Sequence, residues 1–160
     1  MTQLNLKRCT EVLCESIAEI AETMLFAQVA PGEVAEERVN TEPDYSAAIS
    51  YSGGIEGGLH LSGSKAAVLK LAAALLGEAR EEMDADMCDA LGEMANMVAG
   101  GVQGRLEGEL GTISLSPPEV FAPQSEGRAM DASLACLGHQ FALEGETFLV
   151  EIFFGTNQDI

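Results

Sequence analysis

Residues 89–100 read DALGEMANMVAG, and their spacing organises the rest of the chain. With a helical advance of ~100° per residue and Asp89 at zero, Glu93 falls at roughly 40°, Asn96 at roughly −20° and Gly100 at roughly 20°. All four share one narrow stripe. Met87, Leu91, Met94, Val98 and Val102 fall between roughly 140° and 220°, the opposite side. The helix predicted over 87–106 therefore anchors one side in a core. Its other side displays an acid, a second acid, an amide and bare backbone. Gly100 costs a helix about 1 kcal/mol relative to alanine, which makes sense if something must approach closely there. Exposed Asp, Glu and Asn on a helix are most often solvated surface, so the stripe alone names no chemistry.

Working outward, the acidic run 78–86 is a solvated connection in which Asp84 or Asp86 suits the helix N-cap. Before it, 65–76 predicts a helix apolar on nearly every side and therefore buried, capped by Ser62 or Ser64 and stopped at Gly77. Residues 45–51 and 55–61 alternate as two strands about a Ser52-Gly53-Gly54 turn. The chain opens with a helix over 4–28, where Leu13, Ile17, Ile20 and Met24 form one face and Glu11, Glu15, Glu19 and Glu22 the other. Pro31-Gly32 ends it. Beyond the central helix, short strands follow at 112–115 and 119–121. A polar loop at 123–131 then leads to long strands at 133–143 and 146–154, joined at Glu144-Gly145.

A faint internal repeat relates about 4–62 to about 86–154: Glu15, Glu19, Glu22 and Pro43 correspond in order to Asp89, Glu93, Asn96 and Pro118. Two unrelated helices with acidic faces account for the residues equally well.

A length of 160 residues predicts one domain spanning 1–160, or two small repeats sharing a core. With 8 Lys and Arg against 26 Asp and Glu, the formal net charge of −18 repels phosphate backbones and anionic lipid. Nucleic acid and membrane are thus excluded as expected partners, and a protein with a basic rim is favoured. The first twenty residues lack the apolar core of a signal peptide, and the longest apolar span, 66–76, is too short for a bilayer. The expected location is the cytoplasm. Cys9, Cys14, Cys88 and Cys136 form no C-x-x-C pair and are expected reduced. There is no phosphate-cradling G-x-x-x-x-G-K-[ST] loop. His60 and His139, the only histidines, both fall in predicted strands, which leaves little for a metal site or a catalytic triad. Met83, Met87, Met94 and Met97 are expected as core filler.

Asp89, Glu93, Asn96 and Pro118 fit D-x3-E-x2-N-x21-P. This pattern, with the run 92–100, resembles the signature of the CheC/CheX/FliY group of chemotaxis phosphatases, and CheX-like members in particular. The resemblance extends to the first helix, the Gly-Gly-Leu-His-Leu strand, the alanine-rich helix and the last strand pair. It implies an α+β, CheC-like fold: an extended, mostly antiparallel sheet with two long helices packed across it and a shorter buried helix. It also implies a substrate, the aspartyl phosphate of a CheY-like receiver domain. By position, Asn96 resembles the amide that orients the attacking water, and Glu93 the acid that pairs with the receiver's lysine. Asp89 and Gly100 are expected at the edge of the contact, and Pro118 is expected to be structural. No cofactor of its own is implied, because the receiver brings Mg²⁺, and a homodimer is expected. Glu22 stands where a second motif would need Asn, so one active face per chain is expected.

The chemistry suits these roles. An amide donates and accepts hydrogen bonds without acting as a base, so it positions water rather than deprotonating it. Two other readings are a receiver-binding module without catalysis and a structural protein whose acidic helices confer only solubility.

Overall fold

The computed structural model of the protein describes residues 5–35, 44–123 and 134–155. Each helix begins where a short polar side chain satisfies a free N–H of the first turn. Asn5 Oδ1 accepts from Arg8 N at 2.8 Å to open α1 (Leu6–Ile20). Ser64 Oγ accepts from Ala67 N at 3.2 Å to open α2 (Lys65–Leu76), and Asp84 Oδ1 accepts from Met87 N at 2.9 Å to open α3 (Ala85–Leu110). The Met87 N–H, and then the charge of Arg80, hold the Asp84 carboxyl below the usual carboxylate range. Gly77 ends α2 at φ 71°, a left-handed conformation that glycine adopts without strain.

Seven strands form one antiparallel sheet. They are β1 (Val29–Ala35), β2 (Tyr45–Gly53), β3 (Gly57–Gly63), β4 (Ile113–Leu115), β5 (Glu119–Phe121), β6 (Ala135–Leu143) and β7 (Glu146–Phe154). Their order is β1-β6-β7-β3-β2-β4, with β5 also pairing to β2. Register aligns apolar residues in rows on one face: Ile49, Leu59, Ile152 and Leu137 in one row, Ala47, Leu61 and Val150 in the next. These residues are essentially inaccessible and form a single core with Val12, Leu13 and Ile17 of α1 and Leu91, Met94, Val98 and Val102 of α3. Such burial is the dominant favourable contribution to a fold of this kind. The α+β architecture is the expected one: two long helices and a shorter one on an open antiparallel sheet.

Two contacts set α3 in place. Tyr51 Oη of β2 donates to Ala99 O at 3.0 Å, and Ser16 Oγ of α1 donates to Val98 O at 3.1 Å. The second is possible because Gly101 has no side chain: a Cβ there would collide with Ser16 Oγ.

The structure departs from expectation at the end of α1. Regular helix stops at Ile20, and residues Ala21–Leu25 form a π-helical turn closed by Phe26 at φ 50°. A π turn takes more residues per revolution than an α turn. Leu25, only 5% exposed, therefore reaches the core face, while Met24, expected there, is 45% exposed. Pro31-Gly32 lies inside β1 instead of in a break. Proline is tolerated because β1 is an edge strand with a register shift between Pro31 and Val34. Helix α2 was expected to be buried on nearly every side. Ala67, Val68, Leu71 and Ala72 are buried, but Leu76 is 43% exposed. Helix α3 runs longer than expected, to Leu110, because Gln103 Nε2 donates to Ile113 O and Glu107 Oε2 accepts from Ile113 N, tying its last turns to β4. Leu4, Pro43, Ser133 and positions 124–131 of the expected polar loop lie outside the described residues.

Candidate functional site on helix α3

The stripe sits where the helical angles place it. Met87, Leu91, Met94 and Val98 are fully buried, so rotation of α3 about its axis is fixed. Asp89 and Glu93 are consequently exposed, and Asn96 and Gly100 half-buried, on the opposite side. Among the described residues, the side chains of Asp89, Glu93 and Asn96 make no hydrogen bond or ion pair. Glycines on α3 divide by what surrounds them. Gly92 and Gly101 are contact points for other elements, whereas a Cβ at Gly100 would meet nothing within 4 Å. Internal packing therefore gives no reason for Gly100.

Pro118 flanks the stripe on one side. A Cβ at Gly92 would lie 3.5 Å from Pro118 Cβ and Cγ and 3.3 Å from Val120 Cγ2, so the link from β4 to β5 is laid directly across α3. The motif's distant proline and its helical residues are thus brought together. On the other side a groove of about 430 Å³ opens between α3, α2 and the π turn. Its walls include Met24, Leu75, Leu76 and Met97, and its rim carries Asp86, Asp89 and Glu93. Arg80 at its end is committed: Nη1 meets Asp84 at 3.1 Å and Asp86 at 3.0 Å, and Nη2 meets Glu78 at 3.1 Å.

The remaining reactive groups lie elsewhere. His139 Nδ1 lies 2.9 Å from Gln140 O and so carries the proton, leaving Nε2 to accept from the Cys14 thiol at 3.4 Å. The buried imidazole also stacks on Phe141 with centroids 4.3 Å apart. Both histidines are strand residues, His60 packing its ring edge against Phe153 at 4.9 Å. None of the four cysteines is in a disulfide, and burial pushes the Cys9 thiol up to about 12, far from a nucleophile's range. Among the described residues, no three His, Cys, Asp or Glu side chains cluster to hold a metal ion, and no helix is long and apolar enough to cross a membrane. Met87 and Met94 are core residues as expected, while Met97 is half-buried in the groove wall.

The groove is the feature that the sequence does not display. Its walls come from three separate elements. The only local signal is the excess of apolar residues on α2, more than one buried face requires.

The family model for "Chemotaxis phosphatase CheX" matches residues 45–141, which include Asp89, Glu93, Asn96 and Pro118. Among solved structures, a CheC-like superfamily protein from Shewanella sp. PV-4 superposes with a TM-score of 0.81 at 24% identity, over 94% of this chain and 99% of that one. The chemotaxis protein CheX from Desulfovibrio desulfuricans gives 0.79 at 21%, over 91% and 97%. A chain of the CheX-CheY-BeF3-Mg+2 complex from Borrelia burgdorferi gives 0.74 at 18%, again over 91% and 97%. These likenesses show the fold. No curated protein sequence matches.

Proposed function

The chain belongs to the chemotaxis phosphatase CheX family, and from that premise we propose that it hydrolyses the aspartyl phosphate of a CheY-like receiver domain. The observation that carries this is the pair Glu93 and Asn96: one exposed and one half-buried, a helical turn apart on a rigidly seated helix, and neither engaged within the described residues. Side chains at this spacing have Cβ atoms about 5–6 Å apart, so both can enter one small site on a partner.

An acyl phosphate is already activated, and what its hydrolysis lacks is a well-placed water. Asn96 supplies an acceptor and a donor at fixed positions. Its Oδ1 takes a hydrogen bond from the attacking water while its Nδ2 donates to the phosphoryl group. The water oxygen forms the new bond to phosphorus as the bond to the aspartate oxygen breaks. The electron pair leaves with the carboxylate, and both protons of the water end on the phosphate, released as dihydrogen phosphate. Glu93 pairs with the receiver's lysine and fixes the angle at which Asn96 enters. With no cation beside it among the described residues, that carboxylate would be costly to cover unless the partner supplies one. Mg²⁺, when bound by the receiver, neutralises the phosphoryl oxygens. The same arrangement without turnover would be a receiver-binding module.

The test is the decay of phosphate on a CheY-like receiver from the same organism, with this protein present in catalytic amount. Multiple-turnover acceleration is expected. Binding to the receiver with an unchanged phosphate lifetime would replace this function with the binding module.

A further inference from the structure

Of the four large apolar side chains that the described residues leave exposed, Met24, Phe26, Val34 and Leu76, two line the groove beside the motif. Met24 is there because the π turn puts Leu25 on the core face in its place. Interruptions of this kind recur at functional sites, where they re-aim a side chain. Leu76 is the last residue of α2, projecting just before Gly77 turns the chain away. Between them, half-buried Leu75 and Met97 continue the apolar surface. The rim is negative, with Asp86, Asp89 and Glu93. The one cation among the lining residues, Arg80, is already held by three carboxylates.

The groove shares Asp89 and Glu93 with the motif stripe, so a partner seated on the stripe reaches the groove's rim. An apolar wall under a carboxylate rim is matched by an apolar side chain next to a lysine or arginine. We propose that this groove determines which receiver is accepted, taking an apolar side chain that the CheY-like receiver carries beside a basic residue, next to its phosphorylation site. The proposal rests on the function proposed above. In it, Met24 and Leu76 are specificity residues: they set affinity for the receiver and leave the water-positioning step alone. The apolar contact supplies binding energy, and the rim supplies orientation and rate of encounter.

The experiment titrates a CheY-like receiver from the same organism, loaded with Mg²⁺ and BeF₃⁻, into Met24→Glu, Leu76→Glu and the unmodified protein. Steady-state dephosphorylation of the same receiver is followed in parallel. Ala66→Glu adds the same charge to α2 at an exposed position away from the groove. The two groove variants are expected to weaken binding and raise KM by about tenfold or more, with kcat within about twofold and Ala66→Glu close to unmodified. If the groove variants bind and turn over like the unmodified protein, the groove proposal is overturned while the phosphatase stands. If Ala66→Glu weakens binding equally, general charge repulsion explains the result and the proposal is again overturned. If the unmodified protein neither binds nor dephosphorylates the receiver, both fall together.

Discussion

Helices α1 and α3 each carry a row of acids, and the two rows are answered differently. On α1, Glu15 and Glu19 are taken up by Arg105 of α3, at 3.4 Å and 2.5 Å, and Glu11 lies 3.5 Å from Arg8. Arg8 also reaches Glu109 of α3 at 2.7 Å. Glu15 and Glu19, together with the Arg8–Glu109 pair, therefore link the two long helices. On α3, Asp89 and Glu93 meet no cation among the described residues, and Asn96 beside them is equally unengaged. Similar composition thus serves packing on one helix and leaves, on the other, an exposed polar stripe without a partner among the described residues. What separates them is the placement of two arginines.

This contrast can be broken most forcefully at the acids themselves. Glu93→Ala is expected to slow receiver dephosphorylation by about a hundredfold with no change in thermal midpoint, because the charge it removes acts only across the interface. Glu19→Ala is expected to leave turnover unchanged. Equal effects on activity from the two would erase the distinction between the helices.

The adjacent glycines of α3 sharpen it next, through stability. Gly101→Val forces a side chain into Ser16 and is expected to destabilise by about 1–3 kcal/mol in urea unfolding. Gly100→Ala meets open space and is expected to stabilise by about 0.5–1 kcal/mol through helix propensity, while weakening receiver binding. A variant Gly100→Ala that stabilises and binds normally would show that nothing approaches that backbone.

The smallest effect is expected at Arg105. Its side chain is 25% exposed and its partners more so, so the pairs to Glu15 and Glu19 are partly screened. Arg105→Met is expected to destabilise by no more than about 1 kcal/mol, fading at high salt, with turnover unchanged. Loss of phosphatase activity in this variant would mean that the packing row also serves the site.

The placement of Asp89, Glu93 and Asn96 on one side of α3 was legible in the sequence because one helix carries all of them. A helical advance of ~100° per residue fixes the angle between Asp89, Glu93 and Asn96, and the buried residues on the far side fix which way the stripe points. Strands β2, β3, β6 and β7 were legible for a related reason: one face of each is buried, so apolar residues recur locally. Strand β1 was not. Its residues 30–34 are all exposed, and its extended form is imposed by pairing with β6, more than a hundred residues further along. The π turn was invisible as well, because regular periodicity assigned Met24 to the core. The contact of Pro118 with Gly92 crosses between elements. No local pattern predicts it, and only the motif's spacing linked Pro118 to the helix. The groove takes its walls from α2, α3 and the π turn, and was illegible because it needs both the packing of those elements and the turn that exposes Met24.

The central claim, that Asn96 positions water on a partner's acyl phosphate, is tested most directly by comparing Asn96→Ala with the unmodified protein in two assays on one receiver. Binding to the Mg²⁺ and BeF₃⁻ form is expected to persist within about threefold, since the amide adds little to the contact itself. The receiver's phosphate is expected to decay in the presence of Asn96→Ala no faster than it does alone. Decay accelerated by Asn96→Ala as strongly as by the unmodified protein would contradict the account.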